Sequence, residues 1–481
     1  MGVSAAGTEG DPAGAPEAVQ LRRGALTLAG SLGQSIATIG PTLTPALNIA
    51  VVASLAGVGS WLAYLVATVG LLFVAANIGT LARRHPLSGS YFVYVGRTLG
   101  PFAGLMAGWS MVGAYLFTAV AVTVSFTIFF GNVLTALGLA HVAPPGWLVM
   151  TGFMAVVWTA GYRDIRLSSR VGLFLEAISV GLIVLITAII VVRHGTAIDA
   201  AQLTPANIKL GGVTSALAFA VFSFVGFESA ATLAQETRDA GRNVPRAVTL
   251  SAGLAGIFFV AVSYCMMLGM NDDAAAIGSS EAPFSDLTMR AGLGWAAAII
   301  YFSALISSFA CGLASINAVS RLLFSMGRYK FLAQSAGAIH RRHQTPHLAV
   351  TFSCGLVLVV AQTLLPLGAL DAFGYAGTLA TFGFLIVYLL VCIVSPIDLH
   401  RAGVMKGRHA AVGVIGTLLM AFVIVGSMYP VAPYPFNLLP YLFVSYLALG
   451  GAWFGWLRMR NPHALASMEH DLEMLPPADP A

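Results

Sequence analysis

The stretch Leu217-Ala218-Phe219-Ala220-Val221-Phe222-Ser223-Phe224-Val225-Gly226-Phe227-Glu228-Ser229-Ala230 sets a glycine and then a carboxylate inside a run otherwise apolar enough to cross a membrane. A charge at bilayer depth is costly, so an intramembrane Glu marks a functional-site hypothesis by default. The glycine two residues before it weakens the helix where irregular backbone can line a cavity.

Working outward, 58% of the 481 residues are hydrophobic and 9% are charged, against roughly 25% charged in a soluble domain. Apolar stretches recur near 26–52, 58–82, 99–131, 147–162, 171–192, 213–235, 247–270, 293–324, 347–366, 372–395, 410–429 and 436–457. Each approaches the roughly 20 residues that span a hydrocarbon core. The expectation is an all-α polytopic membrane protein with 12 transmembrane helices. A β-barrel would show short alternating strands, and these runs are neither short nor alternating. Residues 1–20 are polar, rich in Gly, Ala and Pro, and lack the basic start of a secretory signal, so they read as a disordered tail. Cys265, Cys311, Cys354 and Cys392 fall in predicted helices at wide spacing, which implies neither a disulfide framework nor a metal motif. All ten histidines lie in connections or tails, which argues against haem ligation or an intramembrane histidine relay.

Charge placement supports the count. With a cytoplasmic amino terminus, the outside segments hold only Arg193, Lys209 and Arg290, and the other 21 of the 24 basic residues lie inside. That follows the positive-inside rule and places both termini in the cytoplasm. The net charge of +5 then reflects membrane orientation, and no nucleic-acid partner is implied.

The first predicted helix is interrupted too, at Gln34-Ser35-Ile36-Ala37-Thr38-Ile39-Gly40-Pro41-Thr42-Leu43-Thr44-Pro45. Pro41 and Pro45 lack backbone donors and clash with the preceding turn, while Gly40 relaxes the chain beside them. Interruptions in corresponding positions of two halves point to the binding site of a secondary transporter. Here they fall in helices one and six. The odd offset predicts two inverted repeats of five spans, roughly 26–193 and 213–395, plus two extra helices. The chain then divides into a tail (1–20), a first repeat (21–195), an inverted second repeat (196–400), a closing helix pair (401–460) and a cytoplasmic tail (461–481). The opposing reading is that Pro and Gly merely kink membrane helices. A broken helix frees N–H groups at the start of its second half and C=O groups at the end of its first, so a zwitterion or amine can bind with few charged side chains. Among the 19 acidic residues, only Glu176 and Glu228 lie well inside a span, and no Lys or Arg does.

Several motifs carry a family resemblance. Phe222-Ser223-Phe224-Val225-Gly226-Phe227-Glu228-Ser229, followed by Gln235-Glu236-Thr237-Arg238 and Asn243-Val244-Pro245-Arg246-Ala247, resembles the sixth helix and following loop of the amino acid-polyamine-organocation (APC) permeases. Pro86-Leu87-Ser88-Gly89-Ser90-Tyr91-Phe92-Val93-Tyr94, with Gly100-Pro101 and Gly108-Trp109, is similar to the entry of their third helix. Ser320 to Arg328, with Thr345-Pro346 downstream, resembles the end of their eighth. The resemblance spans about 26–396 and implies a 5+5 inverted-repeat (LeuT-like) core, with transport of amino acids or amines commonly driven by protons. It also implies that a Gly-Ser-Gly backbone in helix one cradles a substrate carboxylate. The matching Thr38-Ile39-Gly40 keeps only the second glycine, which weakens the case for ordinary α-amino acid recognition. The resemblance makes Phe222 the aromatic lid. Arg328-Tyr329-Lys330 departs from the family's Arg-Asp-Gly, and Ser179 stands where some members carry a lysine replacing sodium.

The resulting site prediction is Ser35, Thr38, Ile39, Gly40, Phe222, Ser223 and Gly226 for substrate, with Glu176, Glu228, Ser307, Ser308 and Arg321 as coupling or gating candidates. Each has a plainer reading. Glu228 is a protonatable coupling group or a cap on freed N–H groups. Glu176 carries the transported proton or hydrogen-bonds a neighbouring helix. Ser307 and Ser308 supply a sodium site or allow close packing. Arg321 gates with Glu236 or Asp239, or is an inside-positive anchor.

The function expected is a secondary active transporter of amino acids or related small amines in the cytoplasmic membrane, with both termini cytoplasmic. It works by alternating access, with protons as coupling ion and sodium as the alternative. No cofactor, metal or obligate protein partner is implied; the partners are the small-molecule substrate and the lipid bilayer. The alternatives are a polyamine or organic-cation carrier or exchanger and, in another class, a membrane-embedded transferase, which would need a catalytic His, Asp or Cys cluster that the sequence does not offer.

Overall fold

Thr27 opens the first helix: its side chain accepts a hydrogen bond from the Gly30 amide, and α1 (Leu28–Ile39) runs until Gly40 takes a left-handed conformation at φ +58°. Pro41 cannot continue the hydrogen-bond ladder. After a short turn, a π-helical stretch, Thr44–Asn48, leads into α2 (Ile49–Ala56). The interruption expected at Gly40-Pro41 is therefore present, as a C-cap followed by a restart.

The computed structural model describes residues 24–85, 90–163, 165–280, 282–328, 330–429 and 434–460. The expected tails at 1–20 and 461–481, residues 86–89 of the helix-three motif and Tyr329 lie outside them. Beyond α2 the helices are α3 (Ser60–Arg84), α4 (Ser90–Leu99), α5 (Pro101–Ala136), α6 (Gly146–Arg163), α7 (Ile165–His194) and the short α8 (Ala200–Leu203). Then come α9 (Leu210–Phe222), α10 (Ala240–Gly269), the short α11 (Ala274–Gly278) and α12 (Pro283–Arg290), and α13 (Ala296–Arg328). The last four are α14 (His347–Leu364), α15 (Ala369–Arg401), α16 (Gly407–Met428) and α17 (Leu439–Arg460).

Among the described residues, nine helical stretches are long and apolar enough to cross a membrane, and α9 is a shorter apolar helix beside them. This is an all-helical, multi-pass membrane architecture. The second interruption is broader than the first. α9 stops at Phe222, residues 223–228 form turns with Gly226 at φ +100°, and Ser229–Glu236 continues as a 3-10 helix rather than an α-helix.

The interrupted elements sit in the middle of the bundle. α1 packs against α7, α10 and α13, while α5 lies along both α13 and α15 and α3 lies along α10. Small residues allow these approaches, as lipid-embedded helices require. A Cβ at Gly256 would stand 2.2 Å from Thr68 Cγ2, and one at Gly383 would stand 2.8 Å from the Ser110 carbonyl oxygen.

Candidate functional site

The two helix breaks meet face to face. A Cβ on Gly226 would lie 2.3 Å from Thr38 Cγ2 and 2.6 Å from Thr38 Cβ, so the turn of the second break wraps directly onto the last turn of α1. The Thr38 hydroxyl donates to the Gln34 carbonyl at 2.7 Å and lies 2.9 Å from Ser229 Oγ, on the far side of the second break. Ser35 Oγ accepts the Ala230 amide at 3.1 Å, satisfying one donor freed at the start of the 3-10 helix. On the other side, the Thr38 carbonyl, freed because α1 ends, accepts the Cys311 thiol of α13 at 3.0 Å. Cys311 also closes on Gly40, where a Cβ would lie 3.2 Å from Cys311 Cβ and 2.9 Å from Leu43 Cδ1.

The remaining substrate candidates are brought to the same place. Ser223 is held by Asn48 Nδ2 at 3.2 Å and lies 3.2 Å from the Tyr64 hydroxyl, which ties the end of α9 to both α2 and α3. Phe222 is half-buried: its ring lies 6.2 Å from that of Phe373 and seats on Gly377, both in α15. Ile39 is buried in the main core cluster.

Glu228 is fully buried and well supplied with donors. The Tyr115 hydroxyl of α5 donates to Oε1 at 2.7 Å and the Tyr388 hydroxyl of α15 donates to Oε2 at 2.6 Å. The backbone at Gly226 and at Glu228 itself also interacts with the carboxyl, and the Tyr91 hydroxyl donates to the Glu228 carbonyl at 2.9 Å. One side chain thus clamps the second break to two long helices.

Glu176 differs. It is fully buried on α7, and neither carboxyl oxygen has a hydrogen-bond partner. The Ser307 side chain interacts with it and Cys311 lies within its electrostatic reach, so Glu176 stands behind the first break. Ser307 Oγ likewise has no hydrogen-bond partner, whereas Ser308 donates back to the Ala304 carbonyl at 2.8 Å and faces Ser125 on α5. The serine pair therefore divides, with only Ser307 turned toward Glu176.

Toward the C-terminal end of α13, Arg321 Nε donates to Glu236 Oε1 at 3.0 Å, and both side chains are fully buried. Arg321 Nη1 reaches Asn317 Oδ1 and Ser320 Oγ, each at 3.2 Å. Of the two partners expected for Arg321, the structure brings Glu236. Nearby, Leu26 forms a parallel bridge with Thr237: the Leu26 amide donates to the Glu236 carbonyl and the Arg238 amide to the Leu26 carbonyl, both at 2.8 Å. The strand-like join fastens the chain entering α1 to the chain leaving the second break.

Sequence reasoning missed Tyr115, Tyr388, Cys311, Asn48 and Tyr64. Each is a polar side chain inside an apolar run, and that was the available signal.

Two interrupted helices that meet in the middle of the bundle are the arrangement of a class, the membrane transporters built around discontinuous helices. The profile described as amino acid permease matches residues 30–445, and the chain belongs to that family, within the APC superfamily. It is 29% identical over 367 residues to the branched-chain amino acid permease BcaP of Bacillus subtilis, covering 72% of this chain and 76% of that one. It is 30% identical over 424 residues to an uncharacterized transporter of Mycobacterium tuberculosis, covering 86% and 88%. It is also 26% identical over 327 residues to the low-affinity putrescine importer PlaP of Escherichia coli, covering 65% and 71%. The family and these relatives are transporters, so the chain is a permease and not an enzyme.

Proposed function

We propose that this permease moves amino acids or related small amines across the cytoplasmic membrane by alternating access, coupled to protons. The observation that carries this reading is the apposition of the two helix breaks at Thr38 and Gly226. It concentrates backbone carbonyls and amides where few charged side chains are present. A carboxylate meets N–H groups at the second break, an ammonium meets carbonyls at the first, and Phe222 closes over the ligand. The buried Arg321–Glu236 pair and the Leu26–Thr237 bridge form the inner gate.

Twelve spans in a 5+5 inverted-repeat core, with both termini cytoplasmic, are part of the same proposal. The odd spacing of the breaks and the lopsided distribution of Arg and Lys support it. A polyamine or organic-cation carrier is the second reading, favoured by the match to a putrescine importer and by the bulk of Thr38 and Ile39 in the first break.

The test is uptake into proteoliposomes of a panel of labelled neutral, acidic and basic amino acids and putrescine, with and without imposed proton or sodium gradients. Concentrative uptake of at least one amine is expected. Absence of uptake and counterflow for every compound refutes the reading. Putrescine outcompeting all neutral amino acids selects the second one.

A further inference from the structure

Two carboxyls are buried beside the helix breaks, and their surroundings are opposite. Glu228 accepts two phenolic hydroxyls and interacts with nearby backbone, a setting complete as it stands. Among the described residues, Glu176 has no partner at hydrogen-bond distance on either oxygen, and the polar side chain that interacts with it is Ser307. Buried polar groups are nearly always satisfied, and an ionised carboxylate without donors in a dry interior costs several kcal/mol. The same face of α13 presents Ser303, Ser307, Cys311 and Ser315 at four-residue intervals, and the three serine hydroxyls also lack hydrogen-bond partners. Of this row, Ser307 is turned toward the Glu176 carboxyl and Cys311 lies within its electrostatic reach, so a single weak donor faces a buried carboxyl and the occupant of the site is small.

We propose that Glu176, rather than Glu228, binds and releases the coupled proton. The inference rests on the proton-coupled reading above and assigns the group that performs it. The titratable group within reach of Glu176 is the Cys311 thiol. α1 carries no ionisable side chain. α6 carries Tyr162 and Arg163 at its end, α10 carries Arg242 and Arg246 at one end and Tyr264 and Cys265 near the other, and α13 adds Tyr301, Arg328 and Arg321, the last held by Glu236. α7 itself adds Arg193 and His194 in its last turn, and among the described residues no cation pairs with Glu176, which leaves a proton as the partner for its charge.

The coupling is mechanical. With a proton on Glu176, α1 packs dry against α7 and α13, and the Cys311 thiol holds the Thr38 carbonyl at the break. Loss of the proton creates a carboxylate that requires donors. Ser307 alone does not supply enough, and water reaches the carboxylate only when α1 separates from α7 and α13. Proton binding therefore favours the closed arrangement and proton release favours displacement of α1, as linkage requires of a ligand that prefers one state.

The test compares wild type, Glu176→Gln and Glu228→Gln in proteoliposomes, using whichever of labelled leucine or putrescine the wild type accumulates. The readout is gradient-driven accumulation divided by counterflow. Glu176→Gln is expected to lower this ratio at least about tenfold, while Glu228→Gln lowers both terms together and keeps the ratio within about twofold. A wild-type ratio in Glu176→Gln overturns the assignment of Glu176 and leaves proton coupling standing. A wild type driven by sodium and indifferent to the proton gradient overturns both. Should Glu176→Gln fail to reconstitute, Glu176→Asp is expected to shift the pH dependence of accumulation, and an unshifted profile overturns the proposal.

Discussion

Replacing Gly226 with Ala tests the contact between the two breaks most directly. The new Cβ would stand 2.3 Å from Thr38 Cγ2 and 3.0 Å from the Thr38 carbonyl carbon, inside the distance that real Cβ atoms occupy. Relieving that overlap by moving either break costs about 1–3 kcal/mol, by analogy with overpacked cores. The backbone at φ +100° adds a second penalty, of order 1–3 kcal/mol for a residue with a side chain. Together they oppose the closed arrangement by about 2–6 kcal/mol, and the lower bound alone changes the open-to-closed ratio about 30-fold. Cys311, which is 2% exposed and touches the Thr38 carbonyl, reports that opening through its alkylation rate in a background where Cys265, Cys354 and Cys392 are alanine. The rate is expected to rise at least about 30-fold in Gly226→Ala. It should fall back toward wild type in the Gly226→Ala, Thr38→Gly double variant, because only the backbone penalty remains. An unchanged rate in Gly226→Ala, or strict additivity of the two substitutions, refutes the argument that the breaks close on each other.

Other predictions follow from the same geometry. Tyr115→Phe or Tyr388→Phe removes one of the two phenol donors to Glu228 and should cost about 1–3 kcal/mol each, read as a lower thermal unfolding midpoint in detergent. Arg321→Ala leaves Glu236 buried and unpaired and should destabilise by about 3–5 kcal/mol, whereas the joint replacement Arg321→Met, Glu236→Leu should recover much of the loss. In the turn between α10 and α11, burial, then a hydrogen bond with Asp199 and that residue's charge, push the Asp272 carboxyl up from its ordinary 3.8 to about 6, with His194 opposing. A raised carboxyl makes the folded protein hold its proton more tightly, so stability should rise as pH falls from about 7 toward 5. Asp272→Asn should flatten that rise, and an identical pH profile in the variant would contradict the shared-proton contact.

The long apolar runs were legible because membrane helices declare themselves through local composition. The breaks were legible because proline and glycine disable the hydrogen-bond ladder whatever surrounds them. Their detailed form was not. The second break begins at Phe222 and continues as a 3-10 helix, a choice imposed by Ser35, Thr38 and Tyr91 from other parts of the chain. Likewise, the sequence left Glu228 suspended between coupling and capping because its hydrogen-bond donors lie 113 and 160 residues away. Glu176 was visible as an intramembrane acid, but that Ser307 and Cys311 of a distant helix are the groups turned toward it follows only from the packing of α13 on α7. Among the histidines read only as lying in connections or tails, the rings of His340, His343 and His347 gather around Tyr162 at 5.4, 5.8 and 6.0 Å. A one-dimensional reading of charge could not anticipate that edge-to-face cluster.

The parallel bridge between Leu26 and Thr237 bears on how many independent parts this end of the bundle contains. Two amide-to-carbonyl bonds join the start of α1 to the end of the 3-10 segment, and Thr38, Ser35, Ser229 and Ala230 join the same two elements again at their far ends. Elements riveted at both ends cannot pivot separately. α1 and the 3-10 segment therefore form one lever, and a pull on the chain just before Leu26 is felt at Glu236 and Arg321 before it is felt where the two breaks meet.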